Sequence, residues 1–181
     1  MDEIFLFILK CFYLMLPAYF ANMAPVIVRK INFLAYPIDF NKQIAGKPIL
    51  GHNKTFRGIF FGVAFAVAIA YVQHLMYAKE AFRGISFIDY GNWMFLGVLM
   101  GLGALTGDLI KSVFKRRLGI NPGERFVPFD QTDFAIGALA LAMLFLNVTA
   151  KIFIVAVALS FVLHVATNHL AFYLRIRNEK W

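Results

Sequence analysis

The chain has 181 residues, of which 61% are hydrophobic and only 15% charged, with a mean hydropathy of +0.70. A soluble domain averages roughly 45–50% apolar and about 25% charged residues, so this composition excludes an ordinary water-soluble domain and indicates an integral membrane protein. The formal net charge of +8 points to anionic partners, either headgroups or a phosphorylated ligand, rather than nucleic acid, and a single cysteine, Cys11, excludes an internal disulfide.

Taking about 20 apolar residues per crossing, five segments reach or approach spanning length, at about 4–28, 56–77, 93–114, 134–150 and 152–174. The expected fold is an all-α integral membrane protein, one polytopic domain over 1–181, with loops 29–55 and 115–133 in the cytosol. In the first span, Ala21-Asn22-Met23-Ala24 loosely resembles a signal-peptide cleavage site. The acidic start (Asp2, Glu3) and the following Arg29-Lys30 instead fit a retained helix with its N-terminus outside. Lys10 is read as a snorkelling lysine and Pro17 as a kink.

The polar connection 29–55 carries Gly and Pro breakers and a loose alternation over 37–51, which suggests a cytosolic flap with a short hairpin. A loop of this length is usually functional or disordered. It leads through Asn53-Lys54-Thr55-Phe56-Arg57-Gly58 into the second span, where Asn53 or Thr55 is a candidate cap. Gln73 and His74, near the outer end of that span, are expected at the interface. Gly58/Gly62, Gly97/Gly101 and Gly103/Gly107 are small-xxx-small pairs that permit close helix packing.

The third span ends in Gly107-Asp108-Leu109-Ile110-Lys111-Ser112-Val113-Phe114-Lys115-Arg116-Arg117. On a helix Asp108, Lys111, Ser112 and Lys115 share one face. At about 1.5 Å per residue, Asp108 lies some 22 Å from Trp93, near the opposite membrane face. A carboxylate in such a segment is a functional-site candidate; the structural alternative is an intrahelical ion pair with Lys111. Asp130 and Asp133, three residues apart at the start of the fourth span, are either a cap and a first-turn acid or two metal ligands. Lys115-Arg116-Arg117 either anchors a helix to anionic lipid or binds phosphate. In the fifth span His164 and Asn168 sit one turn apart, suited to interhelical hydrogen bonding or to the edge of a site on the inner side.

The positive-inside rule tests the layout. With the N-terminus outside, the inner segments hold 14 basic residues, including Arg175, Arg177 and Lys180 of the tail. The outer connections hold three (Lys79, Arg83, Lys151), and Lys10 lies within the first span. The C-terminus is then cytoplasmic, and the three motif segments meet at one membrane face. Asp108, Asp130 and Asp133 are hard oxygen donors suited to Mg²⁺, which commonly shares phosphate oxygens. A pair of such ions is a standard arrangement for displacement at phosphorus.

These segments, Lys54 to Gly58, Gly107 to Ser112 with Lys115-Arg116-Arg117, and Pro128-Phe129-Asp130-Gln131-Thr132-Asp133-Phe134, resemble the archaeal CDP-archaeol synthases. Those are membrane cytidylyltransferases related to the CDP-diacylglycerol synthases, and the resemblance covers most of the chain. It implies an Mg-dependent nucleotidyltransferase that joins CTP to 2,3-bis-O-geranylgeranylglycerol 1-phosphate, giving CDP-archaeol and pyrophosphate in membrane phospholipid biosynthesis. It further implies Asp108, Asp130, Asp133 and Lys111 as catalytic residues, the three aspartates also holding Mg²⁺, with two ions expected. Asn53, Lys54, Thr55, Arg57, Lys111, Ser112, Lys115, Arg116 and Arg117 would bind CTP and phosphate. A multi-pass enzyme in the cell membrane, its site facing the cytoplasm among membrane lipids, is expected, with a homodimer as one oligomeric option. Gln131 stands where the bacterial and eukaryotic enzymes have Arg, and Ala45 and Asn121 replace more polar residues. The alternatives are another lipid-phosphate transferase and a non-enzymatic transporter or scaffold. A CDP-alcohol phosphotransferase would need an Asp-Gly-x-x-Ala-Arg motif, whereas this chain has Gly107-Asp108.

Overall fold

The computed structural model describes residues 2–121 and 124–175. The basic tail residues Arg177 and Lys180 and the Pro122-Gly123 turn signal lie outside the described residues. The chain forms α1 (Glu3–Ile27), a hairpin of β1 (Gln43–Ile44) and β2 (Lys47–Pro48), α2 (Phe56–Tyr77), a short α3 (Glu80–Gly84), α4 (Trp93–Arg117), α5 (Phe129–Met143) and α6 (Ala150–Tyr173). Among the described residues, α1, α2, α4 and α6 are long and apolar enough to cross a membrane. Large apolar side chains on their outer faces, such as Phe5, Val26, Leu75, Ile154 and Val162, are exposed. That is the pattern of a multi-pass membrane protein, in which lipid covers what a soluble fold would bury.

Two differences from the expected spans follow from local chemistry. Residues 115–117 were expected in a loop, but α4 continues to Arg117, because basic residues favour the negative end of the helix dipole. The fourth apolar stretch, expected over 134–150, is helical over Phe129–Met143. Phe129 to Asp133 forms its first turns, and the chain leaves the helix before Thr149 caps α6 by accepting from Ile152 N at 3.4 Å. At about 1.5 Å per residue α5 is some 22 Å long. The first helix runs on through Pro17 and Pro25, consistent with the tolerance of membrane helices for proline.

Helix α4 is central and packs against α1, α2 and α5; α6 packs on α1 and α5 and does not approach α2 or α4 among the described residues. The core holds small side chains: Ala18 and Ala21 of α1, Ala66 and Ala70 of α2, Ala104 of α4, Ala135 and Ala138 of α5. Small residues allow backbones to meet, which maximises dispersion contact where lipid removes the usual hydrophobic drive. A Cβ on Gly101 would come 2.9 Å from the Ala66 Cβ, and one on Gly103 would come 2.7 Å from the Ala138 Cα. A Cβ on Gly107 would run into the Asp133 carbonyl oxygen. The predicted small-residue pairs therefore seat α4 against both neighbours, and Gly107 brings the backbones bearing Asp108 and Asp133 together.

Gln73 departs from its expected place at the interface. It is buried, and its Nε2 donates to the Tyr13 carbonyl at 2.6 Å, tying α2 to α1. His74 faces the Tyr90 carbonyl at 2.9 Å. Lys10 lies 5.8 Å from the Phe87 ring centroid, so its ammonium stays at the end of the bundle where that ring sits.

Candidate active site

Three carboxylates surround one ammonium. Lys111 Nζ lies 3.2 Å from Asp108 Oδ1, 3.1 Å from Asp130 Oδ1 and 2.6 Å from Asp133 Oδ2. Asp133 Oδ2 is buried, and the Lys111 ammonium is the cation that faces it. Two more lysines close the cluster. Lys54 Nζ bonds Asp108 Oδ2, and Lys115 Nζ reaches Asp130 Oδ2 at 3.1 Å and the Glu124 carbonyl at 2.5 Å. The Asp108–Lys111 ion pair considered from sequence is thus present, as one contact among several. Three acids and three lysines balance, and because all are partly or wholly shielded from water each pairing is stronger than a surface salt bridge.

The local chain explains the placement. The i, i+3 and i, i+7 offsets put Lys111 and Lys115 on the Asp108 stripe of α4, and the first turn of α5 faces that stripe across the Gly107 contact. Asp130 does not cap α5. Pro128 occupies the cap position without a side-chain bond, and Asp130 Oδ2 accepts from Phe126 N at 2.7 Å. Thr55 is the cap of α2, accepting from Gly58 N at 3.3 Å. Ser112 Oγ donates to the Asp108 carbonyl at 2.8 Å, an intrahelical bond.

Two cavities flank the cluster. The larger, about 520 Å³, is lined by Asn22 and Pro25 of α1, by 52–55 and 57–59, by Leu105, Asp108 and Leu109 of α4, by Asp130 and by His164. The smaller, about 130 Å³, is lined by Leu50, Gly51, Asn53, Lys54, Lys111, Ser112, Lys115 and Arg116. Asn53 and Lys54 line both, so the Lys54–Asp108 pair stands at their common wall. The larger volume falls in the range of small-molecule sites, roughly 300–1,000 Å³. The smaller is lined by four basic side chains and is suited to phosphate.

Family comparison agrees with this arrangement. The family model described as CarS-like: CDP-archaeol synthase matches residues 4–181. The CDP-archaeol synthase of Archaeoglobus fulgidus is 37% identical over 182 residues, covering 96% of this chain and 98% of the relative. That of Pyrobaculum islandicum is 33% identical over 175 residues, covering 96% and 99%. The chain belongs to the CDP-archaeol synthase family. A solved structure described as "Structural insight into an intramembrane enzyme for archaeal membrane lipids biosynthesis" superposes with a TM-score of 0.70 at 33% identity, covering 86% of this chain and 90% of that one.

Within this synthase fold, the residues expected at the site separate into two groups. Asp108, Lys111, Asp130, Asp133, Lys54 and Lys115 form the cluster, and Asn53, Thr55, Arg57 and Ser112 line one or both cavities. Arg57 also donates to the Ile31 carbonyl at 2.5 Å. Arg116 lines the smaller cavity while bonding the chain on both sides of it, and Arg117 is turned toward the hairpin. Arg116 donates from Nε to Leu50 O at 3.4 Å and from Nη1 to Ile120 O. Arg117 donates to Ile44 O at 2.7 Å, Lys47 O at 3.2 Å and Pro48 O at 2.5 Å. His164, weighed from sequence as an edge residue, lines the larger cavity and contacts Asn168 Nδ2 at 3.2 Å.

Sequence reasoning missed Asp39. It is buried in the 29–55 connection and accepts from Asn41 N at 3.0 Å, Leu50 N at 2.9 Å and Gly51 N at 3.1 Å. Burial pushes its carboxyl up, but the backbone amides of Leu50, Gly51 and Asn41 together outweigh that and hold it below the ordinary carboxylate value. The one available signal was an Asp two residues before Asn41, a spacing that allows a local Asx turn.

The three carboxylates also bear on metal binding. Their donor set is hard oxygen, as Mg²⁺ requires, and it already encloses one positive charge. As they stand, the carboxylates are arranged around the Lys111 ammonium, and no group of three or more His, Cys, Asp or Glu among the described residues closes into a cage for an ion. By chemistry the residues fit a divalent cation shared with phosphate oxygens.

Proposed function

We propose that CTP-dependent CDP-archaeol synthesis, the activity of this family, takes place at the Asp108–Lys111–Asp130–Asp133 cluster. The observation that supports this reading is the convergence of three carboxylates and three lysines in one cluster flanked by two cavities, one strongly basic, with Lys54 lining both. In the reaction an oxygen of the ether-lipid phosphate attacks the α-phosphorus of CTP. The new P–O bond forms as the bond to the pyrophosphate leaving group breaks, giving CDP-archaeol and pyrophosphate.

The site chemistry suits that step. A phosphate monoester has its second pKa near 6, so the nucleophile is largely dianionic at neutral pH and needs no general base. The barrier lies in bringing two anions together and in stabilising charge on the leaving pyrophosphate, a task for positioning and electrostatics. Asp108, Asp130 and Asp133 would hold Mg²⁺, as one ion or two, which when bound supplies charge neutralisation at the phosphates. Lys54, Lys111 and Lys115 would clamp phosphate oxygens once their carboxylate partners are otherwise engaged, and Asn53 and Arg57 would orient the substrate at the cavity rims. Lys54, which lines both cavities, would touch both reacting phosphates.

The same reading carries a topology. Five crossings, with α5 the fourth, would place the N-terminus outside and the cluster at the cytoplasmic face, where CTP is available, in keeping with the excess of basic residues on that side. The decisive assay incubates purified protein with labelled CTP, Mg²⁺ and a panel of ether- and ester-linked lipid phosphates, scoring CDP-lipid. A fully active Asp133→Asn variant would overturn the site assignment. Cysteine-accessibility labelling at Ala45 and at Lys79 would test the orientation, with inside labelling expected at the first and outside labelling at the second.

A further inference from the structure

We infer that Arg117 is a positioning residue that latches the hairpin onto α4 and so sets the Leu50–Gly51 wall of the small basic cavity, rather than a phosphate ligand. This inference rests on the reading of that cavity as part of the nucleotide site. The hairpin has two residues per strand, and all of 43–48 is exposed. A hairpin that small, with no buried face, cannot hold itself in place in water. What fixes it is polar and comes from outside it.

The Arg117 guanidinium bonds three hairpin carbonyls, Ile44, Lys47 and Pro48, at 2.5–3.2 Å. Lys47 Nζ returns a bond to the Arg117 carbonyl at 3.2 Å, so the end of α4 and the hairpin hold each other in both directions. Two and three residues beyond β2, Leu50 and Gly51 form one wall of the cavity. Asp39 fixes their amides, and Arg116 Nε donates to the Leu50 carbonyl. Gly51 has a φ of +102°, which a side chain would strain, and a Cβ there would lie 3.6 Å from Arg116 Nε. The wall therefore hangs between the Asp39 carboxylate and the Arg117 latch. Arg117 lines neither cavity and acts only through the backbone that it holds.

A phosphate ligand and a latch respond differently to Lys. A lysine keeps the charge but presents one point donor group instead of a planar fork able to bridge three carbonyls. Arg117→Lys and Arg117→Ala are therefore compared in detergent-purified protein by two readouts. The first is hydrogen exchange of the amides in 43–51 without substrate, where both variants are expected to exchange at least about tenfold faster than wild type. The second is CTP kinetics, where both are expected to raise KM by about tenfold, roughly one charge-assisted hydrogen bond's worth, with kcat changed much less.

A Lys variant that keeps the wild-type KM while the Ala variant loses it would show that charge matters, and would overturn the latch. Unchanged exchange over 43–51 in both would overturn it too. If Arg117→Ala fails to fold, Arg117→Lys and Lys47→Ala, which removes the return bond from the other side, carry the same two readouts. The exchange measurement needs neither CTP nor lipid. Failure to form CDP-lipid in the wild type would count against the proposed function while leaving the latch to be judged on its own.

Discussion

The α4–α5 contact and the hairpin of the 29–55 connection both shape the site, and they are built by opposite means. The helix contact is made by absence: Gly103, Gly107 and Gly137 leave room for one backbone to lie on another, and the cluster residues stand immediately beside that contact. The hairpin is made by addition, with Arg117 and Lys47 tying an exposed loop to the end of α4 and Asp39 tying that loop to itself. Packing of the first kind is dense and shared over two helices, so it resists local perturbation. Polar ties of the second kind are few, each worth about 0.5–3 kcal/mol, and can be removed singly.

The largest expected effect lies in the helix contact. Asp108→Asn or Asp133→Asn keeps the shape and removes a negative charge facing Lys111, and should lower CDP-lipid formation by at least about a hundredfold while the protein still folds. Activity with labelled CTP, read beside a thermal melt, checks both halves of that statement. Next comes Gly107→Val, which would force α4 away from the Asp133 carbonyl. Overpacking of this kind costs about 1–3 kcal/mol, so both the melting temperature in detergent and the activity should fall.

Gly46 provides the contrast within the hairpin. It has a φ of +72° and nothing within 4 Å of a Cβ, so Gly46→Ala meets strain but no clash. The expected cost is about 1 kcal/mol, confined to the turn, and the melting temperature of the helical bundle should hardly move while exchange at 43–48 rises. Equal effects of Gly107→Val and Gly46→Ala on the melt would break the distinction between the two regions.

The smallest effect is expected at Asp39. Its folded pKa lies below its unfolded value of about 3.8, so the stabilisation it gives is present above that value and is lost as pH falls through the folded pKa. Asp39→Asn keeps one acceptor oxygen and removes the charge, at a cost of about 0.5–1.5 kcal/mol near neutral pH. Exchange at Leu50 and Gly51 should be faster in the variant at pH 7. After correction for the intrinsic pH dependence of exchange, the gap from wild type should narrow below pH 4. A gap that is constant across that range would remove the carboxylate from the account.

Much of the cluster was legible before the fold was known. Asp108 and Lys111 share a helical stripe by spacing alone, and a charge ending an apolar run has few structural uses. Asp130 and Asp133 were legible as a pair, and three-residue spacing was equally consistent with cap and ligand; in the fold neither caps α5, and both face Lys111. The basic run Lys115-Arg116-Arg117 looked like one functional unit because the three residues are adjacent. On a helix adjacent residues point about 100° apart, which is why Lys115 reaches Asp130 while Arg117 reaches the hairpin. Asp39 was invisible because its partners, Leu50 and Gly51, are backbone amides that any sequence would supply.

The sequence by itself determined the medium, the helices and the chemistry. Composition follows from the solvent in which the chain must sit, and the small-residue pairs follow from the need for close approach where lipid offers no hydrophobic drive. Only the tertiary structure decided which charges meet. It enclosed the Lys111 ammonium with three carboxylates, set Lys54 between two cavities, kept Arg116 in the wall of the smaller one, and bonded Arg117 to the hairpin carbonyls. Those outcomes depend on contacts between residues up to 73 positions apart. Local periodicity contains no information about such distances; the docking of one helix on another does.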